Sequence, residues 1–235
     1  AYTHPKQNCF SYKDGSRCFF LFGHAYNPFT MEYDENKILE RIAAAYGTAD
    51  YLDCIDEMTG IFVFCVICDG KVEFLVDPSG MQSAYYGYVD SSFYITSHSQ
   101  LIGDICNLHM DSFVQELIAY KWYYRVMGPY LPADLTQFSA VKRIVPDIMY
   151  THCEGRTTHY RFYPLKRFEE CKTDKEYNEV IARGAEILKN NMELVSKKWS
   201  NPYISLTGGI DSNTTFASAN GIYDRFRTCL LYTSP

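Results

Sequence analysis

The sequence predicts a mixed chain: a strand-rich α+β front, followed by the opening of a parallel α/β domain. Three observations carry this. Short apolar or alternating runs punctuated by turn dipeptides fill the stretch from Cys18 to Tyr163. After Pro164 these signals stop, charged residues crowd positions 166–176, and a long helical period begins. Finally, Tyr203-Ile204-Ser205-Leu206 runs into Thr207-Gly208-Gly209-Ile210-Asp211-Ser212, a strand, a glycine turn and a helix start. The boundary is placed to give domains of residues 1–167 and 168–235.

Taken in order, Cys18 to Phe22 is a strand. Asp34 to Tyr46 is a helix, because Ile38, Leu39, Ile42 and Tyr46 recur at helical spacing and Gly47 ends it. Residues 61–68 and 71–76 form a hairpin about Asp69-Gly70, a dipeptide suited to the tight turn that matches strand twist. Ala84 to Tyr88 and Phe93 to Thr96 form a second pair, joined at Asp90-Ser91-Ser92. Ser112 to Tyr124 reads as one helix, with Ser112 and Gln115 spaced as a capping box. Val141 to Tyr163 returns to strands, broken at Pro146 and at Glu154-Gly155. Thr173 and Glu176 form another capping box. The helix they open carries an apolar stripe of Tyr177, Val180, Ile181, Ile187, Leu188, Leu194 and Val195. Asn213 to Ala219 is the next helix, and Phe226 to Leu231 a second strand.

Composition narrows the function. The 235 residues are 47% hydrophobic, enough apolar material for a core. A formal charge of −6 argues against a surface that grips nucleic acid by neutralising phosphates. No apolar run is long enough for a bilayer span, since Ile61 to Ile67 is strand-sized, and the first residues do not read as a secretory leader. The nine cysteines are odd in number and lie in apolar stretches, unlike a disulfide framework, so reduced thiols and a cytoplasmic location are expected. Cys65 and Cys68 make a C-x-x-C, the spacing of a redox or zinc pair. They sit inside an apolar strand with no second pair to follow, which favours core packing. The six histidines form no zinc pattern. Trp122-Tyr123-Tyr124-Arg125 can stack on a base, but on a helix the core-and-rim reading is preferred.

The loop at 206–212 carries the chemistry. Adjacent glycines allow a tight turn and bring backbone N–H groups close to an anion, and the following helix adds its unpaired donors and positive dipole end. Thr207 and Ser212 supply hydroxyls. Asp211 beside phosphates demands a cation, and Mg²⁺ held by one carboxylate and phosphate oxygens fits. The loop lacks the Gly-Lys-Ser/Thr of a Walker motif.

At these residues the chain resembles the asparagine synthetase family, whose nucleotide loop reads Ser-Gly-Gly-x-Asp-Ser; Thr207 keeps the hydroxyl of the first Ser. The resemblance extends upstream to the family's glutaminase domain. It covers the run Asp56-Glu57-Met58-Thr59-Gly60-Ile61-Phe62-Val63-Phe64, the Asp69 turn, Asp77-Pro78-Ser79-Gly80 and Tyr85-Tyr86-Gly87, then Val141-Lys142-Arg143-Ile144-Val145-Pro146. It implies an Ntn-hydrolase-like αββα sandwich over 1–167, then the N-terminal part of an adenine-nucleotide α-hydrolase-like (PP-loop) domain over 168–235. The latter stretch is too short for the usual five-stranded sheet. ATP and Mg²⁺ are the implied cofactors, bound through Leu206, Thr207, Gly208, Gly209, Asp211 and Ser212. Asp211 holds the metal and the Leu206 backbone meets adenine.

Three departures bear on the reaction. The family's glutaminase uses an N-terminal Cys, and position 1 is Ala. Its Arg-His-Arg-Gly-Pro segment is absent. Its Asn-Gly-Glu loop aligns with Phe22-Gly23-His24, keeping Gly23, Tyr26 and Asn27 but losing the amide and carboxylate. Asp34 matches a glutamine-binding carboxylate or, equally, a helix cap. His24 reads as structural or solvent-facing. Glutamine hydrolysis is not expected. The expected activity is an ATP-dependent amide-forming ligation of a small carboxylate, aspartate or a relative, with ammonia or an amine. A catalytically inactive nucleotide-binding or regulatory homologue is the alternative, and a tRNA-modifying homologue is disfavoured by the acidic charge and the glutaminase-like front. No nucleic acid or membrane partner is expected, and a homodimer is compatible with the resemblance.

Overall fold

The computed structural model describes residues 3–128 and 130–231. In chain order its elements are β1 (Cys9–Asp14), β2 (Arg17–Tyr26), α1 (Glu35–Ala45), α2 (Tyr51–Asp56), β3 (Thr59–Cys68), β4 (Lys71–Val76), β5 (Tyr85–Val89) and β6 (Ser92–Thr96). Then follow α3 (Ser99–Ile105), α4 (Ser112–Ala119), α5 (Lys121–Met127), β7 (Val141–Arg143), β8 (Ile148–Cys153) and β9 (Arg156–Arg161). The chain continues through α6 (Asp174–Lys198), β10 (Tyr203–Leu206), α7 (Ile210–Ser218) and β11 (Arg227–Leu230). It divides into two compact units, one of residues 1–24 with 60–165, the other of residues 25–59 with 166–235.

The first unit is built on antiparallel pairing. One sheet has the order β1-β2-β3-β4-β8-β9, and a smaller one the order β6-β5-β7. The hairpins form where the sequence places its turns. Asp69 and Gly70 both take positive φ (48° and 76°), as do Asp90 and Ser91 (47° and 61°), the twist a two-residue hairpin turn requires. Side chains from both sheets meet in an aromatic core. The fully buried Phe74 ring lies 5.3 Å from Tyr86, 5.6 Å from Phe93 and 5.3 Å from Tyr150. Such offset and tilted pairs add to the area each ring buries. The buried surroundings raise the Tyr86 phenol to about 12 and raise Tyr150 as well. Ile102 of α3 packs with Phe138 and Val141 beside the smaller sheet.

In the second unit, α1 starts as the sequence indicates. Asp34 caps it, its Oδ1 accepting from the Asn36 amide at 2.9 Å, and Gly47 follows its end with φ +82°. Thr173 caps α6 by accepting from the Glu176 amide at 3.2 Å, while the Glu176 carboxylate reaches back to the Lys172 amide at 2.7 Å. β10 and β11 pair in parallel, Tyr203 opposite Arg227 and Leu206 opposite Leu230. Between them run α7 and a 3-10 turn at Tyr223–Arg225. Met192 of α6 packs with Ile204, Ala219 and Phe226 to form the core under this strand–helix–strand segment.

Four expectations need correction. The predicted helix over 112–124 is two helices, because Tyr120 takes ψ 107°, outside the helical range. Its cap is Asp111, whose Oδ1 accepts from the Phe113 and Val114 amides, so Ser112 is already the first helical residue and no Ser112–Gln115 box forms. The core-and-rim reading of Trp122-Tyr123-Tyr124-Arg125 also fails. Trp122 is 60% exposed, no residue of the short α5 is buried, and the Arg125 guanidinium covers the Trp122 ring at 5.5 Å. Along α6 only Met192 and Leu194 are buried, and Tyr177, Val180, Ile181 and Leu188 are exposed. β1, unread in the sequence, pairs with β2 from Cys9 opposite Phe22 to Asp14 opposite Arg17.

Candidate functional site

Leu206 ends β10, and its carbonyl accepts from the Leu231 amide at 2.9 Å, continuing the parallel ladder. The chain then crosses Thr207 and Gly208 and enters α7 at Ile210, with Gly209 as N-cap. Asp211 and Ser212 therefore stand in the first helical turn, earlier than the predicted helix start at Asn213. No side chain among the described residues caps α7, so the first N–H groups of the helix lack the partner that Ser, Thr or Asp at the cap would supply.

Neither glycine of the loop adopts the left-handed region; Gly209 has φ −83° and ψ 157°. A Cβ at Gly208 would meet nothing within 4 Å, and one at Gly209 would meet only Thr207 Oγ1 at 3.3 Å. Backbone conformation does not demand glycine here, and at Gly208 neither does any protein neighbour.

Two hydroxyls organise the loop. Ser212 Oγ accepts the Thr207 amide at 3.1 Å and lies 3.0 Å from Thr207 Oγ1. It also lies 3.2 Å from the carbonyl oxygens of both Thr207 and Gly209. Thr207 Oγ1 in turn accepts the Gly209 amide at 3.2 Å. The sequence named both hydroxyls but gave no sign that they hold each other. Gly208, Gly209 and Asp211 are exposed, and the Asp211 carboxylate has no ion-pair or hydrogen-bond partner among the described residues. No group of three His, Cys, Asp or Glu side chains among the described residues is arranged to hold a metal ion. Asp211 thus stands as a single carboxylate, which suffices for Mg²⁺ only when the ligand brings further oxygens.

Gly23 and Asn27, compared above with a glutamine loop, hold local structure. Gly23 has φ +110°, and a Cβ there would lie 2.2 Å from the Ile61 carbonyl oxygen. His24 is half-buried in β2. Asn27 is buried and folds its own loop: its Oδ1 accepts the Phe29 and Thr30 amides and its Nδ2 donates to Glu57, which also pairs with Arg41 at 2.8 Å. The shallow cleft beside Asn27 is charged, but Lys37 faces Glu32 at 3.5 Å and Arg41 faces Glu57. Ala1 lies outside the described residues.

The C-x-x-C is structural. An odd separation puts Cys65 and Cys68 on opposite faces of β3. Burial raises the Cys65 thiol to about 12, far from the thiolate that metal or redox chemistry needs. Among the described residues no helix is long and apolar enough to cross a membrane.

No protein-family model matches the chain, and no curated protein does. Among solved structures it is similar to a glutamine phosphoribosylpyrophosphate (PRPP) amidotransferase from B. subtilis complexed with ADP and GMP. The sequence identity is 11% and the TM-score 0.38, over 95% of this chain and 47% of that one. A structure described as the allosteric regulatory enzyme of purine biosynthesis gives 11% identity and a TM-score of 0.43, over 94% of this chain and 46% of that one. The chain spans less than half the length of either. At these values the likeness assigns neither family nor activity, and the reading of the site rests on its own residues.

Proposed function

We propose that the loop at 206–212 binds the phosphates of ATP with Mg²⁺, and that the protein activates a carboxylate for amide formation as asparagine synthetase does. One observation carries this reading: the Thr207-Gly208-Gly209 turn ends a parallel strand and opens an uncapped helix, with open space beside Gly208. Backbone N–H groups and the dipole end of α7 then meet the phosphates, and Asp211 would help hold a Mg²⁺, which would neutralise phosphate charge. The adenine lies against the Leu206 backbone.

In the reaction, a carboxylate oxygen of aspartate or a related acid attacks the α-phosphorus. The bond to the bridging oxygen breaks, and pyrophosphate leaves. Ammonia or an amine then attacks the acyl carbon, AMP departs with the acyl oxygen, and the nitrogen loses a proton. The fold of residues 1–167 is proposed to be of the Ntn-hydrolase type, without glutaminase function, since Phe22-Gly23-His24 lacks the amide and carboxylate that would grip glutamine.

The test is exchange of labelled pyrophosphate into ATP by the full-length protein, run over a panel of carboxylic acids. Acid-dependent exchange supports ligation. Tight Mg-ATP binding with no exchange for any acid supports a nucleotide-binding regulatory protein, and absence of ATP binding overturns both.

A further inference from the structure

The two loop hydroxyls are usually interchangeable in a phosphate-binding argument, but their surroundings here differ. A hydroxyl has one proton and two lone pairs. For Ser212, one lone pair receives the Thr207 amide at 3.1 Å. Its proton has three acceptors inside the loop: Thr207 Oγ1 at 3.0 Å and the carbonyls of Thr207 and Gly209, each at 3.2 Å. Thr207 Oγ1 receives the Gly209 amide at 3.2 Å, and its proton has Ser212 Oγ as the acceptor in the loop. Two rotor states satisfy these contacts. In one, Thr207 donates to Ser212, and Ser212 donates to the carbonyls. In the other, Ser212 donates to Thr207, and the Thr207 proton is left without an acceptor in the loop.

From this we infer that Ser212 is a clasp, a positioning residue that holds the loop in shape, and that Thr207 alone delivers a hydroxyl proton to the bound anion. The inference rests on the nucleotide reading above and divides labour within it. Ligand arrival turns two O–H rotors and leaves the heavy atoms in place. Thr207 needs its oxygen, not its methyl group.

The test combines amide hydrogen exchange on the ligand-free full chain with titration of Mg-ATP. Ser212→Ala should speed exchange of the Thr207 amide and weaken Mg-ATP, each by roughly tenfold, the scale of one net hydrogen bond. Thr207→Ser keeps the hydroxyl and should bind Mg-ATP more tightly than Thr207→Val. Thr207→Val should weaken Mg-ATP, and adding Ser212→Ala to it should cost little more. Weaker binding in Ser212→Ala with unchanged Thr207 exchange, or losses that add in the double variant, would make Ser212 a direct phosphate ligand and overturn the inference. Faster exchange with unchanged affinity overturns its positioning role. If the wild-type chain binds no Mg-ATP, the nucleotide reading falls, while unchanged exchange in Ser212→Ala still refutes the clasp separately.

Discussion

Glu35 Oε1 and Lys198 Nζ lie 2.6 Å apart, with side chains only 7% and 11% exposed. The pair joins the first turn of α1 to the last residue of α6 within one compact unit. Neither charge depends on the other alone. Lys198 also donates to the carbonyls of Tyr33 at 2.6 Å and Ala25 at 3.3 Å, and Glu35 accepts the Ala25 amide at 3.2 Å. Removing one partner strands the other in a dry site, which costs about 3–5 kcal/mol, whereas replacing both by apolar groups is often close to neutral. Lys198→Met is therefore expected to lower the urea midpoint of this unit strongly. Lys198→Met with Glu35→Leu should recover much of the loss. Equal loss in the two variants would show that packing of the lysine stem, not the charge, is what matters.

Asp77 organises the turn after β4 in a comparable way. It is fully buried, and its Oδ1 accepts from the Ser79 amide and hydroxyl and the Met81 amide, while its Oδ2 accepts from the Gln82 amide at 2.8 Å. Asp77→Ala leaves these donors without an acceptor at about 1–3 kcal/mol each, not fully additive. A loss of at least about 3 kcal/mol is expected on that scale, read as a lower thermal midpoint. Asp77→Asn should fall between, since its amide keeps one acceptor oxygen.

His152 gives the first unit an acid-sensitive stability. It is buried in β8, stacks on Phe93 at 3.9 Å, and shares a hydrogen bond with Thr157 Oγ1 at 2.9 Å. Burial lowers its pKa from the ordinary 6.5. The unfolded chain therefore takes up the proton first as pH falls. The stability contributed by the neutral ring is fully present above 6.5 and is lost as pH falls through the folded value. Urea unfolding across this range should show the slope in the wild type and a flatter one in His152→Gln. An unchanged slope would assign the acid response elsewhere.

Much of the fold is legible where the signal is local. Asp69-Gly70 fixes its hairpin by the φ values those residues tolerate, Asp34 and Gly47 bracket α1, and the run from Tyr203 to Ser212 announces strand, turn and helix. Errors arise where neighbours compete or partners are remote. Asp111, one residue before Ser112, takes the cap because its carboxylate reaches two amides. The periodic stripe of α6 says that one face is apolar, not how far along the helix a partner extends, and its first half is exposed. Asp77, and the pair of Glu35 with Lys198, draw their importance from burial, which no local pattern encodes. Within the candidate loop the residue types were legible, but the mutual engagement of Thr207 and Ser212 depends on where α7 begins, one turn earlier than its apolar pattern suggests.

Asp211 decides whether the loop is a metal–phosphate site or merely an anion-binding turn. Its carboxylate is exposed in the first turn of α7, beside the N–H groups that would meet phosphate. Near a helix N-terminus a carboxylate stabilises the helix by about 0.3–1 kcal/mol, so Asp211→Ala should leave the fold standing at slightly lower stability. Its effect on binding depends on the cation. With Mg²⁺ bridging Asp211 and phosphate oxygens, the variant should lose Mg-dependent ATP affinity. Without Mg²⁺, removing the negative charge should strengthen binding of the bare anion. Calorimetric titration of ATP with and without Mg²⁺ reads both arms. Unchanged affinity with Mg²⁺ in Asp211→Ala would sink the metal role, and tighter binding in both arms would make Asp211 a purely repulsive neighbour of the anion.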